Sequence, residues 1–155
     1  MFHIVLYQPE IPANTGNISR TCAATNTVLH LIKPLGFSLD DRHLKRAGLD
    51  YWSLLDVRIH ASFESFLDSH GRASIWFVET YGERLYNEVR YPEDSFFIFG
   101  QETKGLPREL TESFRDRVIR IPMSPRPEAR SLNLSNSVAV ILFEAMRQNG
   151  FPGLR

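Results

Sequence analysis

The chain has little cysteine, no net charge and no long apolar run, and each shortage closes off a class of protein; it is also short of lysine. Lys33, Lys45 and Lys104 are its only lysines, against fifteen arginines, and Lys+Arg and Asp+Glu both total 18. A formal net charge of zero excludes a whole-surface footprint for nucleic acid and leaves only local basic patches. The single cysteine, Cys22, rules out an intrachain disulfide framework, fits a reducing cytoplasm, and among apolar neighbours reads as a small core residue. No apolar stretch approaches the roughly 18 residues of a membrane span. The start, M-F-H-I-V-L-Y-Q-P, has neither the basic n-region nor the long apolar run of a signal peptide. G-x-G-x-x-G, G-x-x-x-x-G-K-[ST] and G-x-S-x-G are all missing, which removes the fingerprints of dinucleotide, P-loop and α/β-hydrolase chemistry. His3, His30, His43, His60 and His70 show no metal-ligand spacing, so no metal is expected.

What is present is an alternation of strands and helices. At 155 residues and 43% hydrophobic, the chain suits one globular domain, 1–155, with a real core. Apolar runs at Phe2–Tyr7, Val28–Lys33, Ser74–Thr80, Ser95–Gly100 and Arg117–Ile121 predict strands, with a brief one at Val57–His60. Helical patterns fall at Ile18–Thr25, Asp40–Ala47 (stopped by Gly48), Ser62–Ser69, from about Pro107, and from about Asn133 to Asn149. Gln8–Ala13, with two prolines, is expected to be loop, and Asn14 to cap the first helix. The economical fold is α/β, a mostly parallel sheet with helices on both faces.

Three polar segments each follow a strand: Asn14–Arg20 (N-T-G-N-I-S-R), Phe99–Pro107 (F-G-Q-E-T-K-G-L-P), and Ile119–Asn136 (I-R-I-P-M-S-P-R-P-E-A-R-S-L-N-L-S-N). In an open parallel sheet such loops gather at the carboxyl ends of the strands, where ligands bind. The last segment joins a strand end, a loop stiffened by Pro122, Pro125 and Pro127, and a Ser/Asn-rich helix start. It is either a ligand corner or a connector with a good N-cap. Glu102 is either a functional carboxylate or a cap for the helix after it. By spacing alone, Arg20 is an exposed helix arginine.

Together these three segments resemble the SPOUT superfamily of S-adenosylmethionine-dependent RNA methyltransferases. The nearest likeness is to the small single-domain branch that methylates the 2′-hydroxyl of the tRNA wobble nucleotide, cytidine or uridine 34. The likeness runs through L-Y-Q-P-E-I-P-A-N-T-G-N-I-S-R, F-G-Q-E-T-K-G-L-P, I-R-I-P-M and R-S-L-N-L-S-N-S-V-A, with R-A-G-L-D-Y and the F-P-G near the end in support. It implies a C-terminal deep trefoil knot, which pattern alone does not reveal, since true knots are nearly absent from proteins.

The resemblance also implies S-adenosylmethionine held largely by backbone groups, with Val78, Gly100, Ile121 and Ser131 at the matching positions and Met123 and Leu132 nearby. Arg20, Glu102 and Asn133 match catalytic positions. A guanidinium is a poor general base, so Arg20 is expected to stabilise the developing alkoxide, with Glu102 and Asn133 orienting Arg20, the ribose or the cofactor. The implied partners are the anticodon stem-loop of tRNA and a second copy of the chain. Candidate basic patches are Arg115, Arg117, Arg120, Arg126 and Arg130, and Arg42, Lys45 and Arg46. The Ser124–Ala129 loop is slightly longer than the family pattern. Two other readings compete: the same chemistry on another tRNA or rRNA nucleotide, and a non-catalytic RNA-binding protein of the same fold.

Overall fold

Short runs of β-branched and aromatic residues, broken by Pro, Gly and Asn, build a sheet in which every pairing is parallel. The computed structural model describes residues 1–40, 42, 44, 46, 49–71 and 73–155. The helix expected over Asp40–Ala47 with its Gly48 stop, and Lys45 of the second basic patch, lie largely outside those residues. The strands are β1 (His3–Tyr7), β2 (Val28–Ile32), β3 (Val57–His60), β4 (Ile75–Val78), β5 (Arg84–Leu85), β6 (Phe96–Phe99) and β7 (Val118–Arg120). They form one seven-stranded sheet in the order β3-β2-β1-β6-β4-β7-β5. β1 sits beside both β2 and β6, with Ile4 opposite Leu29 on one side and Phe97 on the other. Central strands are buried on both faces, so they read as unbroken apolar runs rather than alternations.

Among the described residues, four helices with complete bounds cover the sheet: α1 (Pro12–Ala24), α2 (Phe63–His70), α3 (Arg108–Glu112) and α4 (Leu134–Gln148), with a 3-10 segment at Leu49–Leu54. α1 packs against both α4 and that 3-10 segment. Ile18 and Cys22 of α1, and Val138, Ile141, Leu142, Ala145 and Met146 of α4, join Ile4, Leu6, Phe97 and Phe99 in one core. Phe63 and Phe66 of α2 pack with Val5, Phe77, Ile98 and Leu106 in a second core on the opposite face. The two-faced arrangement expected from the alternation is therefore present. Cys22 is fully buried, and burial pushes its thiol well above the ordinary range, as suits a core residue.

Two local expectations fail for identifiable reasons. α1 begins at Pro12, six residues before the expected Ile18, because Pro at the first helical position loses only an N–H that has no intrahelical partner. Ile11 then occupies the N-cap without a side-chain bond, and Asn14 lies inside the helix, buried, rather than capping it. β5 was not anticipated, since two residues carry no periodicity. At the other end, Asn133 caps α4 by accepting Ser135 N–H at 2.9 Å, and Gly150, at φ +72, follows the helix.

Four histidines scattered through the sequence meet on one side of β1–β3. His3 Nδ1 lies 3.0 Å from His30 Nε2, and His30 Nδ1 lies 2.9 Å from His60 Nε2. The ring of His70 stands edge-on to those of His30 and His60. Among the described residues no set of three or more His, Cys, Asp or Glu side chains is arranged to hold a metal ion, and no helix is long and apolar enough to cross a membrane.

Candidate functional site

Beyond the carboxyl ends of β4, β6 and β7 the following loops converge on one cavity of about 730 Å³. Each wall has its own segment. Val78, Glu79 and Thr80 continue from β4; Gly100–Gly105 continue from β6; Ile121 and Met123 follow β7; and Arg130, Ser131, Leu132, Asn133, Leu134 and Ser137 lead into α4. Ile11 and Asn14 close it from the start of α1. All six residues expected at the cofactor, Val78, Gly100, Ile121, Met123, Ser131 and Leu132, line this one space, as do Glu102 and Asn133.

The Gly100 loop turns back on itself. Gln101 and Gly105 exchange backbone bonds at 3.2 and 2.8 Å. A Cβ on Gly100 would stand 2.2 Å from Gly105 C and 2.3 Å from Leu106 N, so only glycine lets the loop close this tightly. The last wall is stiffened by its prolines and by a 3-10 turn at Pro127–Ala129, with Ala129 N–H donating to Arg126 O at 3.0 Å. Residues Ser124–Ala129 are exposed.

Glu102 does not cap the helix that follows it. Its carboxylate reaches across to α1, accepting Glu10 N–H at 2.9 Å, Ile11 N–H at 3.0 Å and Asn14 Nδ2 at 3.3 Å. The two backbone amides belong to the residues just ahead of Pro12, at the positive end of α1, where a carboxylate is favourably placed. Glu10 reciprocates, its carboxylate accepting Thr103 N–H at 3.0 Å and the Thr103 hydroxyl at 2.8 Å. Asn133 Nδ2 donates to Asn14 Oδ1 at 3.0 Å, while its own Oδ1 accepts from Ser135. Glu102, Asn14 and Asn133 thus form one relay that ties the β6 loop, α1 and α4 together.

Arg20 stands apart. It is exposed, outside the cavity lining, with its guanidinium carbon 4.9 Å from the centre of the Tyr51 ring. Six residues separate it from Asn14, about 9 Å along the helix axis. No hydrogen bond joins it to Glu102 or Asn133 among the described residues.

Among the polar cavity residues are Glu79, for which sequence reasoning found no role, and Asn14, which it offered as a helix cap. Glu79 is half-buried, and burial raises its carboxyl above the usual range, with backbone N–H groups of Leu106 and Thr80 opposing the shift. The signal for it was faint: it is the first polar residue after the apolar strand I-W-F-V. Arg130, exposed at the rim, is the member of the first basic patch that lines the cavity, while Arg115 lines a separate cavity of about 270 Å³ beside Tyr81, Arg108 and Thr111.

A wholly parallel sheet with a cavity at its carboxyl edge, walled by a tight glycine loop and a proline-rich strap, defines an α/β ligand-binding protein. Residues 1–143 match the SpoU rRNA methylase family, and the chain belongs to that family. It is 49% identical to the tRNA (cytidine(34)-2'-O)-methyltransferase of Saccharophagus degradans, over 99% of both chains. A solved structure described as giving insight into 2-OH methylation of C/U34 on tRNA superposes with a TM-score of 0.91 at 48% identity, covering 97% of each chain. An S-adenosylmethionine-bound rRNA methyltransferase from Sinorhizobium meliloti matches with a TM-score of 0.83 at 25% identity, covering 94% of this chain and 56% of the other.

Proposed function

We infer that the protein is an S-adenosylmethionine-dependent tRNA 2′-O-ribose methyltransferase acting on the wobble nucleotide, cytidine or uridine 34. One observation carries this: the three motif loops that mark the wobble methyltransferases enclose a single cavity, in a chain 49% identical end to end to a tRNA (cytidine(34)-2'-O)-methyltransferase. The cavity fits the cofactor, since its volume of about 730 Å³ lies within the range of small-molecule sites and most of its lining residues sit in loops. Bound there, S-adenosylmethionine supplies an electrophilic methyl on a sulfonium.

The residues of the chain then bind, orient and stabilise. Val78, Gly100, Ile121 and Ser131 present backbone groups to the cofactor, with Met123 and Leu132 packing beside them. Arg20 stabilises the negative charge that develops on the ribose 2′-oxygen as its proton passes to water. Glu102 and Asn133 act as positioning residues through Asn14, holding α1 at the angle that presents Arg20.

The fold is further read as a deep trefoil knot and as one domain. In support, β7 enters between β4 and β5, which both precede it in the chain, and the segment after it returns along the cavity wall. The working unit is read as a homodimer that binds the anticodon stem-loop. Arg20 lies outside the cavity of its own chain, and Leu132 and Phe143 are exposed apolar side chains, both of which favour a site completed by a second copy. The enzyme is read as cytoplasmic, in keeping with a tRNA substrate.

Incubation with methyl-labelled S-adenosylmethionine and unmodified tRNA, followed by nucleoside mapping, tests the reading. Label in the 2′-O-methyl nucleoside at position 34 is expected. Label at another nucleotide would assign a different substrate, and a protein that binds RNA but no S-adenosylmethionine would be a non-catalytic module.

A further inference from the structure

Four ionisable side chains line the cavity: Glu79, Glu102, Lys104 and Arg130. Lys104 and Arg130 are exposed, so water screens them. The charge of Glu102 is taken up by the amides ahead of α1. Glu79 is left as a half-buried carboxylate at the end of β4 whose recorded side-chain bond is from Leu106 N–H to Oε1, at 2.5 Å. That oxygen lies 2.7 Å from where a Cβ on Gly105 would stand, so Glu79 also backs the tight loop that walls the cavity. The Thr80 N–H also faces the carboxylate, and the Arg108 charge acts on it from farther off. A half-buried carboxylate met by neutral backbone donors attracts a nearby cation more strongly than an exposed one does.

We propose that Glu79 makes the cavity selective for the cationic methyl donor over its neutral product, an inference that rests on the methyltransferase reading. Donor and product differ by one methyl group and one positive charge: S-adenosylmethionine carries a sulfonium, and S-adenosylhomocysteine an uncharged thioether. Both carry the same adenosine, ammonium and carboxylate. Any group that merely shapes the loop serves the two ligands alike. A negative charge in the wall favours the sulfonium alone, and so lowers the tendency of spent cofactor to occupy the site.

The test is calorimetric titration of the full chain with each ligand. Glu79→Gln keeps an oxygen to accept Leu106 N–H and nearly the same volume, but removes the charge. Affinity for S-adenosylmethionine is expected to fall about tenfold and affinity for S-adenosylhomocysteine less than about twofold, on the electrostatic argument. Glu79→Ala, which also removes the acceptor, is expected to weaken both ligands. Equal losses for the two ligands in Glu79→Gln, or no loss for either, would reduce Glu79 to a loop prop and overturn the proposal. A wild-type protein that binds neither ligand would instead overturn the methyltransferase reading and the proposal together.

Discussion

The side-chain amide of Asn133 donates to Asn14 Oδ1 across 3.0 Å, so the cap of the last helix is bonded to the first turn of the first helix. Asn133→Ala removes both the α4 cap and this bridge and is expected to cost about 1–2 kcal/mol. Asn133→Ser restores the cap alone. Urea unfolding of the two variants checks the division: if the bridge contributes, the serine variant recovers only part of the loss.

Glu102→Gln keeps the size of the side chain but exchanges a charged acceptor of three N–H groups for a neutral amide with donors of its own. One of those donors then meets an N–H of Glu10 or Ile11. A stability loss of about 1–3 kcal/mol is expected, with weaker S-adenosylmethionine binding because the β6 loop loses its tie to α1. Unfolding and titration on the same variant measure the two effects.

Arg20→Ala removes a side chain that lies outside the cavity and packs on the Tyr51 ring. Methyl transfer is expected to fall by at least about a hundredfold, the usual scale for losing an oxyanion-stabilising group. Cofactor affinity should stay within about twofold by the uniform-binding argument. Near-wild-type turnover would remove Arg20 from the mechanism.

The histidine cluster sets an acid limit on stability. Burial is the first cause that holds His3 down to about 4 and His30 down to about 3, with Arg58 and neighbouring rings adding to it; for His3, Asp94 opposes and the amino terminus assists. Burial also lowers His60, with His70 and Arg58 contributing. These rings are neutral in the folded protein, whereas in the unfolded chain they take up protons near the ordinary value of about 6.5. Their contribution is therefore complete above about pH 6.5 and is lost as the pH falls from there toward 4. Thermal midpoints measured from about pH 8 to about pH 4.5 should drop most steeply below 6.5. His30→Leu should flatten that drop.

The architecture was legible because buried parallel strands must be apolar throughout, and V-L-H-L-I and S-F-F-I-F announce themselves. The cavity was legible because its walls need special backbone, and glycine and proline advertise that at Gly100 and Pro122–Pro127. What escaped were partnerships across long separations. Nothing local indicates that Glu102 meets the amides of Glu10 and Ile11, or that Asn14, a natural cap by residue type, is buried to bridge Glu102 and Asn133. Spacing along the chain hides the histidines, while the parallel register of β1, β2 and β3 sets His3, His30 and His60 on one face, each two positions further along than the last. Pro12 was taken as a helix breaker where its position made it a helix starter.

The Glu102–Asn14–Asn133 relay has a consequence in time. Asn14 and Asn133 are separated by 119 positions, and Glu102 stands 88 from Asn14. During synthesis, β1, β2, β6 and most of the sheet can pair before residue 133 exists outside the ribosome, yet the donor cavity lacks a wall until then. The protein is therefore inert through most of its own manufacture and acquires its ligand site only when the final helix docks. A ligand in that site touches the middle and the end of the chain at once, acting as a clasp on whichever segment arrives last.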